Sequence, residues 1–592
     1  MKASEKIAKL RELMKEKGID AFIIPSSDPH ISEYPAAHWK SRAWISGFTG
    51  SAGTVVITAN KAGLWTDSRY FLQADLQLKD SGIDLFKDGL PETPSLKDWL
   101  ASELPGGSCA GIDGDVYAAS EAQLLKTFFE DYSIRLETAF KPFDLIWNNR
   151  PTIPLDKIFI LPEEFSGISA REKIDNVLKE VQSAGADVTV LASLDAIAWL
   201  FNIRGNDVTY NPVAVCYAVI SAKEAVLFIH PEKLTVEAID YLKAQNIILA
   251  DYNKVFDYVK KLPAGQRVLV NTAKINYSLY SNISGIIKEV AIHPVDMLKA
   301  VKNETEIDGI KNALKKDGVA LTKFYMWLEK ALESGEKVTE LDVSSQLRHF
   351  RSEQALYFGE SFETIAGYGE HGAIVHYGAT EESNATIERK GLLLIDSGAQ
   401  YFDGTTDITR TVAVGDLSEE MCIDYTLVLK GHIALAQAHF PQGTKGCQLD
   451  ILARKALWDR GLNYLHGTGH GIGYFLNVHE GPQSIRTDLH PTPLQPGMIT
   501  SNEPGLYRTG EYGIRIENLI LTVPAEKTDF GSFHQFETLT LCPIDKKPIK
   551  KDLLSDNEID WLNKYHSEVY EKLSPFLNEE EKVWLKEKTE VI

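Results

Sequence analysis

Cysteine is scarce in this 592-residue chain: there are five, Cys109, Cys216, Cys422, Cys447 and Cys542, scattered, odd in number and without a Cys-x-x-Cys spacing. That argues against a disulfide framework and a thiolate zinc site, so any bound metal has to be held by oxygen and imidazole. Long apolar runs are missing as well, with none near the roughly 18 residues of a membrane span. The N-terminus, MKASEKIAKLRELMKEKG, is charged throughout and has no apolar signal-peptide region. The expectation is a soluble cytoplasmic protein with no membrane partner. Positive charge is in deficit, with 62 Lys and Arg against 83 Asp and Glu and a formal net charge of −21. A chain of that sign repels a phosphate backbone, which argues against nucleic acid as a partner and suits metal cations better. Pro-rich and Gly/Ser-rich linkers are absent too, so domain boundaries must be read from pattern; at roughly 150 residues per domain the length suggests three or four.

The pattern repeats itself. Residues 5–17 read as an amphipathic helix, followed by the apolar stretch Asp20–Pro25 and Gly-punctuated strands at Trp44–Ser51, Thr54–Thr58 and Ala62–Thr66. Near residue 170 the order restarts with a helix over 171–184, an apolar run Val188–Ser193, a Trp-bearing segment Ala198–Gly205 and strands at Val213–Ile220 and Ala225–His230. This recurrence predicts a diverged duplication, one α/β domain over residues 1–155 and a second over 156–297. A third segment, 298–592, opens on Asn303-Glu-Thr-Glu306, which has capping-box spacing, ahead of Ile307, Ile310, Leu314, Leu321, Phe324 and Leu328 on one helical face. β-rich stretches at 391–414 and 514–523 make it α+β. Its tail, about 545–592, contains a helical, acidic, aromatic-bearing stretch, Asp556–Glu590, suited to packing on a neighbour or a second subunit.

Residues able to do chemistry cluster in this third segment. In Gly391-Leu-Leu-Leu-Ile-Asp396-Ser-Gly-Ala-Gln-Tyr-Phe-Asp403-Gly404-Thr-Thr-Asp407, two apolar strands flank an Asp-Gly turn signal, so Asp396 and Asp407 should lie on adjacent strands of a hairpin. Two carboxylates held that close need a cation or a shared proton. Taken alone, the pair also fits a turn carboxylate and a loop cap. In Leu465-His466-Gly-Thr-Gly-His470-Gly-Ile-Gly the glycines exclude a helical ligand pair and allow backbone to approach a ligand closely; a Gly-rich turn with surface histidines is the plainer alternative. His479 follows in Val478-His-Glu-Gly-Pro, and Glu503 precedes a Pro-Gly turn. In Gly513-Ile-Arg515-Ile-Glu517, period 2 puts Arg515 and Glu517 on one strand face, as a site or as a surface ion pair.

The order of these fragments is less ambiguous than any one of them. Asp396, Asp407, His470, Glu503 and Glu517, with their flanking residues, match the five ligand positions of the metallopeptidase family whose catalytic domain has the pita-bread fold. The wording Ile395-Asp-Ser-Gly-Ala-Gln-Tyr, Asp403-Gly-Thr-Thr-Asp-Ile-Thr-Arg-Thr, His466-Gly-Thr-Gly-His-Gly-Ile-Gly and Phe475-Leu-Asn-Val-His-Glu-Gly-Pro resembles its cytosolic three-domain Xaa-Pro aminopeptidases over essentially the whole chain. Leu506 departs from that wording, which often has an aromatic residue there.

The resemblance implies two creatinase-type N-terminal α/β domains before a pita-bread domain, and two divalent metal ions per subunit. Asp407 and Glu517 would bridge the ions, Asp396 and His470 would each bind one, and Glu503 would complete the set. Four carboxylates and one imidazole suit Mn(II) better than a thiol-seeking metal. It further implies hydrolysis of the N-terminal Xaa-Pro bond of peptides: water held between two cations loses a proton near neutral pH and attacks, while Glu503 moves the proton. His376, His466 and His479 would face the substrate carbonyl, the proline ring and the developing charge. Arg69 and Arg515, with His376 and His479, would contact substrate. The partners implied are peptides with proline in second position and a second copy of the chain as a homodimer. A prolidase-like dipeptidase and a non-catalytic peptide-binding relative are the alternatives.

Overall fold

The computed structural model describes all 592 residues, which divide into two compact units: Met1–Pro162 with Ile168–Asp296, and Glu163–Gly167 with Met297–Ile592.

The first unit holds two six-stranded sheets built to one plan. In the first sheet the spatial order is Asp84–Lys87, Ala62–Thr66, Thr54–Thr58, Ala21–Ile24, Cys109–Ile112, Arg135–Glu137. In the second it is Ile247–Ala250, Ala225–Ile229, Cys216–Ser221, Val188–Leu191, Arg267–Val270, Ile286–Glu289. Strand orientations also match pair by pair: parallel, antiparallel, antiparallel, parallel, parallel. Helices Ala3–Lys17 and Ala170–Ser183 precede the equivalent central strands. The two halves are joined by His30, whose Nδ1 and Nε2 lie 2.9 Å from the Ala192 carbonyl and 3.0 Å from the Tyr252 hydroxyl, and by Asn276, which donates to the Pro29 carbonyl at 2.7 Å. The strand expected over Trp44–Ser51 is instead a short helix, Ser41–Ser46, stopped by Gly47 at φ 80°. Its counterpart is the helix Leu194–Phe201, buried at every position but Asp195, where a period-2 reading is equally uninformative.

The second unit is α+β. Its long helix, Glu304–Glu333, begins on the expected Asn303–Glu306 capping box and buries Ile310, Leu314, Leu321, Phe324 and Leu328. Two sheets carry the sequence motifs. One is three-stranded, Ile365–Tyr368, Leu392–Ser397 and Ile408–Ala413; the other is six-stranded, in the order His439–Pro441, Gly531–Thr538, Asn518–Thr528, Ile499–Asn502, Gly469–Gly471, Glu480–Ile485. The hairpin expected around Asp403-Gly404 is present, with Tyr401 opposite Gly404. It is kinked out of its sheet at Gly398, where a Cβ would stand 2.0 Å from the Thr406 carbonyl. The tail helices Asp556–Leu573 and Glu579–Lys588 pack into this unit's own core through Leu562, Tyr565, Val569, Leu573 and Leu585, so their apolar face is already covered. Leu506 belongs to the same core, which accounts for an aliphatic residue there. All five cysteines are free, and no helix is long and apolar enough to cross a membrane.

Candidate metal centre

Four strand ends in two sheets bring the acidic residues together, and a short neighbouring strand adds His470. Asp396 is the penultimate residue of Leu392–Ser397 and pairs with Thr409; Asp407 comes one residue before Ile408–Ala413. Glu503 directly follows Ile499–Asn502, Glu517 directly precedes Asn518–Thr528, and Asn502 pairs with Asn518, so both glutamates leave the sheet at one end. His470 is the central residue of Gly469–Gly471, the strand beside Ile499–Asn502. The glycines around it permit close packing: a Cβ on Gly469 would sit 2.1 Å from the Ser501 carbonyl, and one on Gly471 2.5 Å from that of Glu480. Arg515 and Glu517 do not share a strand as expected, because the chain breaks at Ile516 between Tyr512–Arg515 and Asn518–Thr528. They meet anyway over Thr409, whose hydroxyl donates to Glu517 Oε2 at 2.8 Å and accepts from Arg515 Nε at 3.1 Å.

Asp407, His470 and Glu517 offer ligand atoms that all lie within 4.8 Å of one another. His470 Nε2 is 3.5 Å from both Asp407 Oδ2 and Glu503 Oε1. Its Nδ1 lies 3.0 Å from the Gly471 carbonyl. A proton on Nδ1 satisfies that carbonyl and turns the Nε2 lone pair toward the carboxylates, the tautomer a metal ligand needs. Ser501 donates to Glu503 Oε1 at 3.1 Å, and Arg515 donates to Asp396 Oδ2 at 2.5 Å. The remaining oxygen of Asp396, Oδ1, is buried without a hydrogen-bond partner.

This donor set calls for positive charge. Burial first, then repulsion from Glu517, Asp396 and Glu503, pushes the Asp407 carboxyl well above the usual carboxylate range; burial, Glu503 and Asp396 do the same to Glu517. Burial and Asp396 raise Glu503 to about 7 against the opposing pull of Arg515. One arginine does not balance four converging carboxylates, and a bound divalent cation reverses each of these shifts. The residues therefore fit a metal, with the unpartnered Asp396 Oδ1 as the most direct sign of a missing partner.

The histidines expected around the site are differently engaged. His479 meets His470 edge to face, ring centroids 4.4 Å apart. His466 Nε2 is 2.9 Å from the Tyr507 hydroxyl and Nδ1 is 2.8 Å from the Gly467 carbonyl. His376 lies in the segment after Ile365–Tyr368, next to Val375, whose carbonyl is 3.4 Å from Arg515. Arg515 itself, expected among the substrate contacts, is 1% exposed, and its guanidinium is committed to Asp396, Thr409 and Tyr507, which places it behind Asp396. Arg69 lies in the first unit, paired through two nitrogens with Asp67. Sequence reasoning missed Thr409, Ser501 and Tyr507, which orient the expected residues. It also missed Arg410, which donates to the Glu517 carbonyl at 2.7 Å and to Asn518 Oδ1 and the Tyr565 hydroxyl at 2.8 and 2.9 Å. Thr409 and Arg410 sit inside the motif already singled out; the others carry no signal without their partners.

Residues 308–524 match metallopeptidase family M24, and residues 532–592 the C-terminal region of that peptidase family. The Creatinase/Prolidase N-terminal domain is matched twice, at 6–144 and 149–306, in keeping with the repeated sheet plan. A probable Xaa-Pro aminopeptidase P from Coprinopsis cinerea is 42% identical over 99% of this chain and 98% of its own. The chain belongs to the aminopeptidase P group of family M24. Among solved structures, the X-prolyl aminopeptidase from Caenorhabditis elegans, a cytosolic enzyme with a di-nuclear active site, superposes on this M24 chain with a TM-score of 0.96, at 36% identity and over the full length of both. The Xaa-Pro dipeptidase from Bacillus anthracis reaches a TM-score of 0.52 at 26% identity and covers 64% of this chain against 99% of its own. The dipeptidase architecture thus accounts for only part of this M24 protein.

Proposed function

We propose that this chain is an Xaa-Pro aminopeptidase, releasing the first residue of peptides with proline in second position. Two divalent cations, Mn(II) by preference, would be held by Asp396, Asp407, His470, Glu503 and Glu517. The observation that carries the reading is the convergence of Asp407, His470 and Glu517 on one point in a buried acidic cluster. The di-nuclear site of the C. elegans relative supports the count of two, and the oxygen-rich donor set supports Mn(II). When bound, the cations supply positive charge that lowers the pKa of a coordinated water and polarises a substrate carbonyl.

The chain's own residues do the rest. Thr409 and Arg515 hold Glu517 and Asp396, and the Gly471 carbonyl fixes the His470 tautomer. Glu503, oriented by Ser501, accepts the proton of the attacking water and passes it to the proline nitrogen, a secondary amine that must be protonated to leave. His376, His466 and His479 are assigned to the substrate carbonyl, the proline ring and the developing charge. The peptide's free amine meets the carboxylates, which limits cleavage to the first bond. The homodimer and the cytoplasmic location rest on the family resemblance, the location also on the cytosolic C. elegans relative.

Rates on Arg-Pro-Pro, Arg-Ala-Pro, N-acetyl-Arg-Pro-Pro and Arg-Pro, before and after chelation, test this. Only Arg-Pro-Pro should be cut well, and chelation should silence the enzyme until Mn(II) is returned. Comparable cleavage of Arg-Ala-Pro would make it a general aminopeptidase, and a preference for Arg-Pro would make it a dipeptidase.

A further inference from the structure

The segment from Gly369 to Asn384 carries His376 and has no regular structure beyond one 3₁₀ stretch, Gly369–Ala373. One carboxylate bonds to it at several points. Glu340 opens the helix Glu340–Ser352, and its side chain is fully buried. Its Oε1 accepts from the Tyr368 N–H at 2.9 Å and from His371 Nδ1 at 2.8 Å; its Oε2 accepts from the Tyr377 hydroxyl and the Ala385 N–H, both at 2.9 Å. Tyr368 is where the chain enters the segment and Ala385 is where it leaves, so both ends close on the same group. Tyr377 is the covalent neighbour of His376.

A carboxylate taken out of water is stable only with its lone pairs filled and its charge balanced. The four donors fill the lone pairs. The bond to Glu340 raises the proton affinity of His371, the basic group nearest this carboxylate, and the His371 ring stacks on Tyr377 at 4.5 Å. On the other flank the segment lies against Tyr512–Arg515 so closely that a Cβ on Gly513 would stand 1.7 Å from the Gly372 carbonyl. Arg515, which holds Asp396, also reaches the Val375 carbonyl. His376 is thus bracketed by residues bonded to two different anchors.

We propose that Glu340 is a positioning residue for peptide cleavage: its carboxylate closes the His376 segment at both ends and sets where the His376 imidazole stands toward the substrate. This rests on the role given to His376 above. The cost of losing it falls on catalysis, because a misplaced imidazole still leaves the peptide's amine and the metal ligands untouched.

The test compares Glu340→Gln, Tyr377→Phe, His376→Ala and the Glu340→Gln/His376→Ala double variant, each as the full Mn(II)-loaded chain. Glu340→Gln should lower kcat on Arg-Pro-Pro by on the order of tenfold, with KM within about twofold and bound Mn(II) unchanged. Tyr377→Phe should move kcat the same way by less. In the His376→Ala background Glu340→Gln should add nothing further, since both act through one group. Amide hydrogen exchange over residues 369–385 should quicken in Glu340→Gln. Unchanged exchange, a normal kcat, or full multiplication of the two single effects would each overturn the role of Glu340. Should Glu340→Gln fail to fold, Tyr377→Phe alone and paired with His376→Ala carries the same comparison. No cleavage of Arg-Pro-Pro by the wild-type chain would overturn the proposed function itself, and is told apart from the other outcomes because it precedes any substitution.

Discussion

The hydroxyl of Tyr507 and Nε2 of His466 share a hydrogen bond across 2.9 Å. Arg515 donates to the same phenol oxygen at 2.6 Å, so Tyr507 links the imidazole to the guanidinium. With its Nδ1 2.8 Å from the Gly467 carbonyl, the His466 ring is held at both nitrogens, and its orientation is tied through Tyr507 and Arg515 to Asp396.

Replacing Tyr507 by Phe removes that coupling and nothing else of comparable size. The expected result is a kcat on Arg-Pro-Pro lower by about tenfold, with KM changed by less than about twofold and metal content intact. Steady-state kinetics with metal analysis of the same sample decide it, and an unaltered kcat would detach His466 from the reaction.

Asp407→Asn should cost at least about a thousandfold in kcat, because the residue that faces both His470 and Glu517 loses its charge at almost constant volume. The same substitution should stabilise the chelated protein, since it removes one of four mutually repelling buried carboxylates. Melting curves should therefore cross: wild type the more stable with Mn(II), Asp407→Asn the more stable in chelator. A variant less stable under both conditions would contradict the repulsion argument.

Acid sensitivity should have one identifiable contributor in His566. Burial, with Lys546 and Arg410 nearby, holds its pKa down at about 3, and its Nε2 accepts the Ile544 N–H at 3.1 Å. Unfolded, it takes up a proton near the ordinary 6.5. Between those values the unfolded chain binds more protons, so the contribution is fully present above about pH 6.5 and shrinks as pH falls, by about 2 kcal/mol at pH 5. In His566→Asn the loss of stability from pH 7 to pH 5 should be smaller than in the wild type; denaturant midpoints at the two pH values would show an equal loss if His566 were not responsible.

Leu562→Ala should destabilise the catalytic unit by about 2 to 5 kcal/mol, because this residue of the tail helix is completely buried in that unit's core. A thermal midpoint within a degree of wild type would mean the tail is not part of the cooperative fold.

Much of this fold is legible in the sequence because its elements obey strong local rules. The helix Glu304–Glu333 announces itself by a capping box and a single apolar stripe, and the hairpin by Asp403-Gly404 between apolar strands. The edge strands of the repeated sheets are not legible: Asp84–Lys87 and Arg135–Glu137 are exposed or half-buried and carry charges where alternation would be sought. The five acidic and imidazole positions are ambiguous one by one, and only their order and flanking wording, through the resemblance to a metallopeptidase family, single them out together. The anchoring contacts of Arg515 and Glu340 are not legible, since a buried charge is defined by partners far away in sequence, Asp396 in one case and Tyr368, Tyr377 and Ala385 in the other.

The candidate ligands come from strand ends as distant in the chain as Asp396 and Glu517, and they meet only where two separate sheets both terminate. Asp396 and Asp407 come from neighbouring strands of one sheet, and His470, Glu503 and Glu517 join them from the other. Completing the cluster therefore requires both sheets, and bringing them together costs loop-closure entropy that no single local segment offsets. A copy in which either sheet is unformed lacks the full ligand set, so the topology itself couples the site to the folding of the second unit.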